Sequence, residues 1–83
     1  MPKIYDVIIV GAGASGLSCA EALNTEGIEF LLVEGKSRIG GRVFSHLSNY
    51  HRVPIELGAE FIHGVPKYTL DWLKRLNQPF YDV

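Results

Sequence analysis

Apolar positions fall into two short runs, Ile4 to Val10 and Ile28 to Val33, apolar nearly throughout but for Asp6 and Glu29, separated by a stretch of helical period and broken by glycine at each junction. Both runs are rich in β-branched residues and too short for helices, which predicts two strands. Continuous rather than alternating apolarity suits parallel strands buried on both faces. From Ala14 to Glu26 the period lengthens. Gly16, Leu17, Ala20 and Leu23 share one face, while Ser18, Glu21 and Asn24 point away. Small residues at Gly16 and Ala20 let that face lie close to a sheet. Gly27 is placed to take the left-handed conformation that ends a helix.

Residues 4–34 therefore spell strand, glycine turn, helix, strand, a βαβ unit of about 30 residues. Gly35 to Arg52 reads as loop, with glycine, serine and basic residues throughout. Val53 to Leu57 is a short strand candidate, irregular or at an edge because of Pro54. Pro66 sits at a first helical position. Leu70, Leu73 and Leu76, with Tyr68 and Trp72, give an amphipathic helix that Asn77 and Pro79 end, and Phe80 to Val83 resembles the start of another strand. The expected fold is α/β: an incomplete, Rossmann-like βαβ dinucleotide-binding unit, then a short strand and an amphipathic helix. A chain of 83 residues buries only about 60% of its unfolded surface.

The glycines explain the chemistry. Gly11-Ala12-Gly13-Ala14-Ser15-Gly16 matches G-x-G-x-x-G between a strand and a helix. Gly11 permits the tight turn, Gly13 keeps side-chain atoms away from a pyrophosphate, and Gly16 lets helix and strand pack closely. A helix amino terminus then offers free N–H groups and positive dipole to an anion. Glu34 closes the second strand about twenty residues on, where a carboxylate accepts hydrogen bonds from both ribose hydroxyls and repels a 2′-phosphate. Three glycines in a surface loop are the bland alternative, but the strand, the helix and the acid are all in place. Arg38-Ile39-Gly40-Gly41-Arg42 is a second glycine–arginine cluster. Alone it is a basic surface turn. Beside the first motif it reads as part of one pyrophosphate site, with Arg42 able to grip phosphate through two bonds.

Net charge is −1 with both signs interspersed, which excludes nucleic-acid or membrane binding through bulk charge. No apolar run reaches the roughly 18 residues of a membrane span. Cys19 stands alone, so no internal disulfide forms, and a cytoplasmic location is expected. His46, His51 and His63 have no zinc-like spacing and no cysteine pair, so no metal is expected. Cys19 has no assigned redox task. Trp72, Leu73 and Leu76 are expected in the core, and Tyr68 and Tyr81 are expected to pack rather than to meet substrate.

Together, "VIIVGAGASGLSCAEAL", "LLVEGKSRIGGRVFS" and "IELGAEFIHG" resemble the amino-terminal FAD-binding segment of the flavin-containing amine oxidases, the group of monoamine oxidases, polyamine oxidases and related histone demethylases. The first two motifs are shared more widely, with carotenoid desaturases and protoporphyrinogen oxidases. The third is narrower, with Phe61 in place of a usual tryptophan. The resemblance implies that Gly11, Gly13, Ala14, Ser15 and Gly16 line the FAD diphosphate and that Glu34 holds the adenosine ribose. It places Gly40, Gly41 and Arg42 toward the diphosphate and ribityl chain, and Gly58, Ala59, Glu60 and Phe61 beside the flavin end. Lys36 stands where the family often has arginine, keeping the charge without the planar fork.

The resemblance also implies a reaction: hydride removal from the carbon beside an amine, reoxidation of the flavin, usually by oxygen, and hydrolysis of the imine. Residues 1–83 correspond to part of the FAD-binding domain. The substrate domain is absent, and no catalytic base or nucleophile is assigned. Expected partners are FAD, an amine substrate only in a full-length form, and a second copy of the chain meeting the exposed sheet edge. Two alternatives stand: a non-enzymatic nucleotide-binding or assembly module, and a fragment of an NAD-dependent dehydrogenase.

Overall fold

The computed structural model describes residues 3–47, 49–50 and 52–80. In chain order the elements are β1 (Val7–Val10), α1 (Ala14–Thr25), β2 (Phe30–Val33), β3 (Ser45–His46), β4 (Ile55–Glu56) and α2 (Lys67–Arg75). β1 and β2 pair in parallel, with Val7 opposite Phe30 and Val10 opposite Val33, and α1 crosses over between them. This is the incomplete Rossmann-like α/β unit that the apolar pattern predicts.

Both strands are shorter than the apolar runs. A partner for Asp6 or Tyr5 would have to come from the residues before Phe30. There, however, the Ile28 N–H turns back to the Leu23 carbonyl at 3.0 Å and closes the end of α1. The chain is still leaving the helix where the ladder would have to extend. The helix stop is as expected, with Gly27 at φ 71°. Along α1, Gly16, Leu17, Ala20 and Leu23 are half-buried while Ser18, Glu21 and Asn24 are exposed.

The expectation that the first strand is buried on both faces is not met. Ile9 is 8% exposed, but Ile8 is 61% and Val10 84% exposed. Alternate residues of a strand point to opposite faces. α1 covers the face carrying Ile9, and no described element packs on the other. Leu31 and Val33 share that open face, each 38% exposed.

The segment expected to be loop contains β3, which pairs antiparallel with β4 through Ser45 opposite Glu56 and His46 opposite Ile55. The Ser45 hydroxyl donates to the Glu56 carboxylate at 2.7 Å. Pairing continues beyond the two strands: the Leu57 N–H reaches the Phe44 carbonyl at 2.7 Å and the Ala59 N–H the Arg42 carbonyl at 2.8 Å. The strand expected over Val53 to Leu57 is thus reduced to Ile55–Glu56.

Pro66 precedes α2 as its N-cap rather than its first residue, its carbonyl accepting from the Leu70 N–H. Leu70, Trp72 and Leu73 are half-buried. Tyr68 (85% exposed) and Leu76 (61% exposed) are not in the core. Tyr68 lies half a turn of helix from Leu70, and Leu76 is already the C-cap. Asn77, expected to end the helix, does so in the left-handed conformation at φ 54°. An ion pair at 2.6 Å from Arg75 to Glu21 joins α2 to α1. Both partners are exposed, so it contributes at most about 1 kcal/mol. Phe80 belongs to no strand, and His51 and Tyr81 lie outside the described residues, as does the rest of the strand expected at Phe80 to Val83.

Candidate functional site

The site begins where β1 ends. Gly11 takes φ 106°, which side-chain-bearing residues rarely adopt. That lets the chain turn from strand to helix within the three residues Gly11 to Gly13. Gly16 then faces the turn at close range: a Cβ there would collide with the Gly11 carbonyl oxygen and reach the Ile9 side chain at 3.4 Å. Gly13 is different. It has extended backbone (φ −83°, ψ −170°), and a Cβ there would meet nothing nearer than the Gly40 oxygen at 3.9 Å. The fold itself does not require glycine at 13, and the space is free for a ligand. No side chain caps α1 and no acidic residue lies in its first turn, leaving its amino-terminal N–H groups to the solvent side.

The second glycine loop is bonded to the first. The Gly40 N–H donates to the Ala12 carbonyl at 2.7 Å, and Gly13 and Gly40 form a parallel bridge. The loop is braced within itself. The Arg38 guanidinium lies 4.2 Å from the centre of the Phe44 ring and donates to the Gly41 carbonyl at 2.9 Å. The third motif docks on the second, because Gly58 lets its backbone approach so closely that a Cβ would strike the Arg42 carbonyl.

These three segments enclose an open groove of about 960 Å³. Gly11, Gly13, Ala14, Ser15 and Gly16 of the first motif line it, with Lys36, Gly40, Gly41 and Arg42 of the second loop and Gly58 and Ala59 of the third motif. Val10, Arg38, Val43, Phe44 and Leu57 also line it. Three cationic side chains border the groove and no carboxylate does, so with the free helix terminus it is suited to an anion. Glu60 and Phe61 lie beyond Ala59 and do not line it. Arg38 and Phe44 were not among the site residues expected from sequence. The first arginine of R-x-G-G-R was a visible signal for the pair, but its stacking partner was not.

Glu34 does not line the groove; it sits against the turn of the first glycine loop, at Ala12. One carboxylate oxygen accepts from the Ala12 N–H at 2.9 Å and the other from the Lys36 N–H at 2.8 Å. Each oxygen keeps a second lone pair, so a ribose hydroxyl still has an acceptor. The Ala12 bond first, and the Lys36 N–H after it, hold the Glu34 carboxyl below the ordinary glutamate range. A depressed folded value means the carboxylate's stabilising bonds are intact above the ordinary glutamate pKa and are lost as pH falls through the lowered one. A ¹³C-detected titration of the Glu34 carboxyl is therefore expected to give a midpoint below that of glutamate in an unstructured peptide. A midpoint level with that of the peptide refutes the bond to Ala12.

Among the described residues, no three of His, Cys, Asp and Glu form a metal-ligand group. Nor is any helix long and apolar enough to cross a membrane.

Residues 9–76 match the NAD(P)-binding Rossmann-like domain family. By sequence the chain is similar to lysine-specific histone demethylase 1 homolog 3 of Arabidopsis thaliana, 44% identical over 71% of this chain and 4% of that protein. It is also similar to (S)-6-hydroxynicotine oxidase of Paenarthrobacter nicotinovorans, 43% identical over 72% of this chain and 14% of that one. Among solved structures, wild-type putrescine oxidase bound to putrescine superposes with a TM-score of 0.76 at 31% identity, covering 92% of this chain and 17% of that one. The chain thus spans a small part of the length of the proteins it matches.

Proposed function

The chain belongs to the NAD(P)-binding Rossmann-like domain family, and on that premise we propose that it is the FAD-binding portion of an amine-oxidase-like flavoprotein. The observation that carries the proposal is the groove in which two glycine loops, bonded through Gly40 and Ala12, face a free helix terminus with three cations and no carboxylate at its border. That donor set fits a diphosphate. Gly13 leaves the space in which phosphate oxygens approach backbone, and Arg42 lines the groove beside the third motif, its carbonyl accepting from the Ala59 N–H at 2.8 Å. Glu34, whose carboxylate accepts from the Ala12 N–H in the same turn, is the ribose partner in this reading. Gly58 and Ala59 continue the groove toward the place of the flavin, with Glu60 and Phe61 following outside its lining.

FAD rather than NAD is favoured by the relatives, whose names are those of oxidases and a demethylase homolog. In the whole protein, bound FAD would supply the acceptor for a hydride from the carbon beside an amine. The residues here bind and orient the cofactor, and 1–83 form a partial domain without the substrate walls or any catalytic base. We therefore expect no amine turnover from the chain alone. The same proposal places it in the cytoplasm, away from membrane and nucleic acid, and has it self-associate.

Calorimetric titration with FAD, ADP and NAD tests the assignment. FAD is expected to bind more tightly than ADP, and both more tightly than NAD. Arg42→Ala should weaken FAD more than ADP, by about the 1.5–3 kcal/mol of a charge-assisted hydrogen bond. Equal loss for both ligands moves Arg42 to the adenosine side, and binding of NAD alone overturns the FAD reading.

A further inference from the structure

We infer that Glu34 is a positioning residue: through Ala12 it holds the two glycine loops in the relative placement that makes them one groove. This rests on the groove being the diphosphate site proposed above, and it gives Glu34 a task that contains no ribose.

Ala12 is 1% exposed, at the centre of the turn between Gly11 and Gly13. Its two flanking peptide groups are pinned from opposite directions. The N–H on one side donates to the Glu34 carboxylate at 2.9 Å. The carbonyl on the other accepts from the Gly40 N–H at 2.7 Å. The Gly40 carbonyl in turn accepts from the Val43 N–H at 3.0 Å. The placement of Gly40 and Gly41 opposite Gly13 therefore depends on where the Ala12 carbonyl points, and that depends on which way its N–H is held.

Glycines at 11 and 13 make this segment the least self-supporting in the unit, because a backbone without side chains has the most conformations to lose. An anchored carboxylate answers that need. The second Glu34 oxygen is held by the Lys36 N–H at 2.8 Å, two residues along the same loop, so the carboxylate arrives at Ala12 already oriented. The parallel register explains why the acid stands there. Val10 is opposite Val33, so the residue after β2 falls beside the turn after β1.

The two roles of Glu34 separate when the ligand is inorganic pyrophosphate, which has no ribose. If Glu34 served only the sugar, Glu34→Gln would leave pyrophosphate binding unchanged or tighten it, since a negative charge near an anion has been removed. If it positions the turn, the same change weakens pyrophosphate, by about tenfold or more, because the neutral amide has one acceptor oxygen where the carboxylate has two and cannot hold the Ala12 and Lys36 N–H groups together. Amide hydrogen exchange on the ligand-free chain gives the second readout. In Glu34→Gln the amides of Ala12 and Gly40 should both exchange at least about tenfold faster, while that of Ile28, bonded to Leu23 at the far end of α1, keeps its rate. Should glutamine unfold α1, as read by circular dichroism, Glu34→Asp keeps the charge but shortens the reach and is measured in the same way. Faster exchange at Ala12 with Gly40 unmoved, or pyrophosphate binding as tight as in the parent, overturns the inference. If the parent chain binds neither pyrophosphate nor ADP, the proposed function fails, and the exchange rates at Ala12 and Gly40 still decide whether Glu34 holds the loops.

Discussion

Gly13→Val is expected to fold as the parent does and to lose nucleotide. The backbone at 13 is extended, φ −83° and ψ −170°, a conformation that a β-branched residue accepts readily. Its Cβ would lie 3.9 Å from the Gly40 oxygen and 4.0 Å from the Gly41 Cα, ordinary contact distances. The γ-methyls then extend into the groove, over the first turn of α1, where the diphosphate is proposed to lie. Forcing extra methyl groups into an occupied space costs about 1–3 kcal/mol, roughly 5- to 150-fold in affinity. FAD, ADP and pyrophosphate should suffer alike, since all share the diphosphate. The measurement is titration of the three ligands beside a circular dichroism spectrum and melt of the variant. Gly16→Ala is the counterpart with the opposite signature. Its methyl would collide with the Gly11 carbonyl oxygen and lie 3.0 Å from the Gly11 carbonyl carbon. That separates α1 from the end of β1, so the helical signal itself should fall. A Gly13→Val chain that folds and binds ADP normally removes the diphosphate from this wall of the groove.

The difference between those two glycines was only partly legible in the sequence. Their spacing between a strand and a helix is local information, and it assigned close packing to Gly16 and ligand approach to Gly13. The face of α1 was legible for the same reason, because the period of Gly16, Leu17, Ala20 and Leu23 is a property of adjacent turns. What could not be read locally is pairing across the chain. β3 has only two residues, Ser45 and His46, neither apolar, and it becomes a strand because Ile55 and Glu56 lie against it. The stack of Arg38 on Phe44 depends on how the second loop closes. Glu34 was read as a ribose acceptor from its distance along the chain. Its bond to Ala12 follows from the parallel register of β1 and β2, which the sequence does not state. The burial of β1 was over-read. An apolar strand reports what the whole sheet needs, and among the described residues only one of its faces is covered.

That uncovered face leads to the expectation that the chain associates with itself at micromolar concentration. Its described hydrophobic core contains only Ile9 and Ala12. The radius of gyration is 15.5 Å, against about 12 Å for a compact domain of this length. β1 pairs with β2 along one edge, and no described strand occupies its other edge, a template for a further strand. Ile8 at 61% and Val10 at 84% exposure stand on the open face beside that edge. Taking such a side chain fully out of water contributes about 1.5–3 kcal/mol, so these two from each of two copies gain about 6–12 kcal/mol. Lost freedom on association costs about 4–15 kcal/mol. Leu31 and Val33, already largely covered, add a smaller gain. The opposing contributions nearly cancel, whereas a micromolar complex needs a surplus of about 8 kcal/mol, so association at micromolar concentration requires strand pairing along the open edge of β1 in addition to these side chains. Light scattering from low to high micromolar concentration should show a rising mass, with a thermal melt that sharpens as the mass rises. Ile8→Lys together with Val10→Lys puts two charges on that face and should hold the chain as monomer with a broad, weak melt. A parent chain that is strictly monomeric and melts cooperatively at all these concentrations sinks the expectation. Unchanged association in the double variant places the contact elsewhere, with exchange of α2 between copies next to be tested through Arg75→Glu, which breaks its ion pair with Glu21.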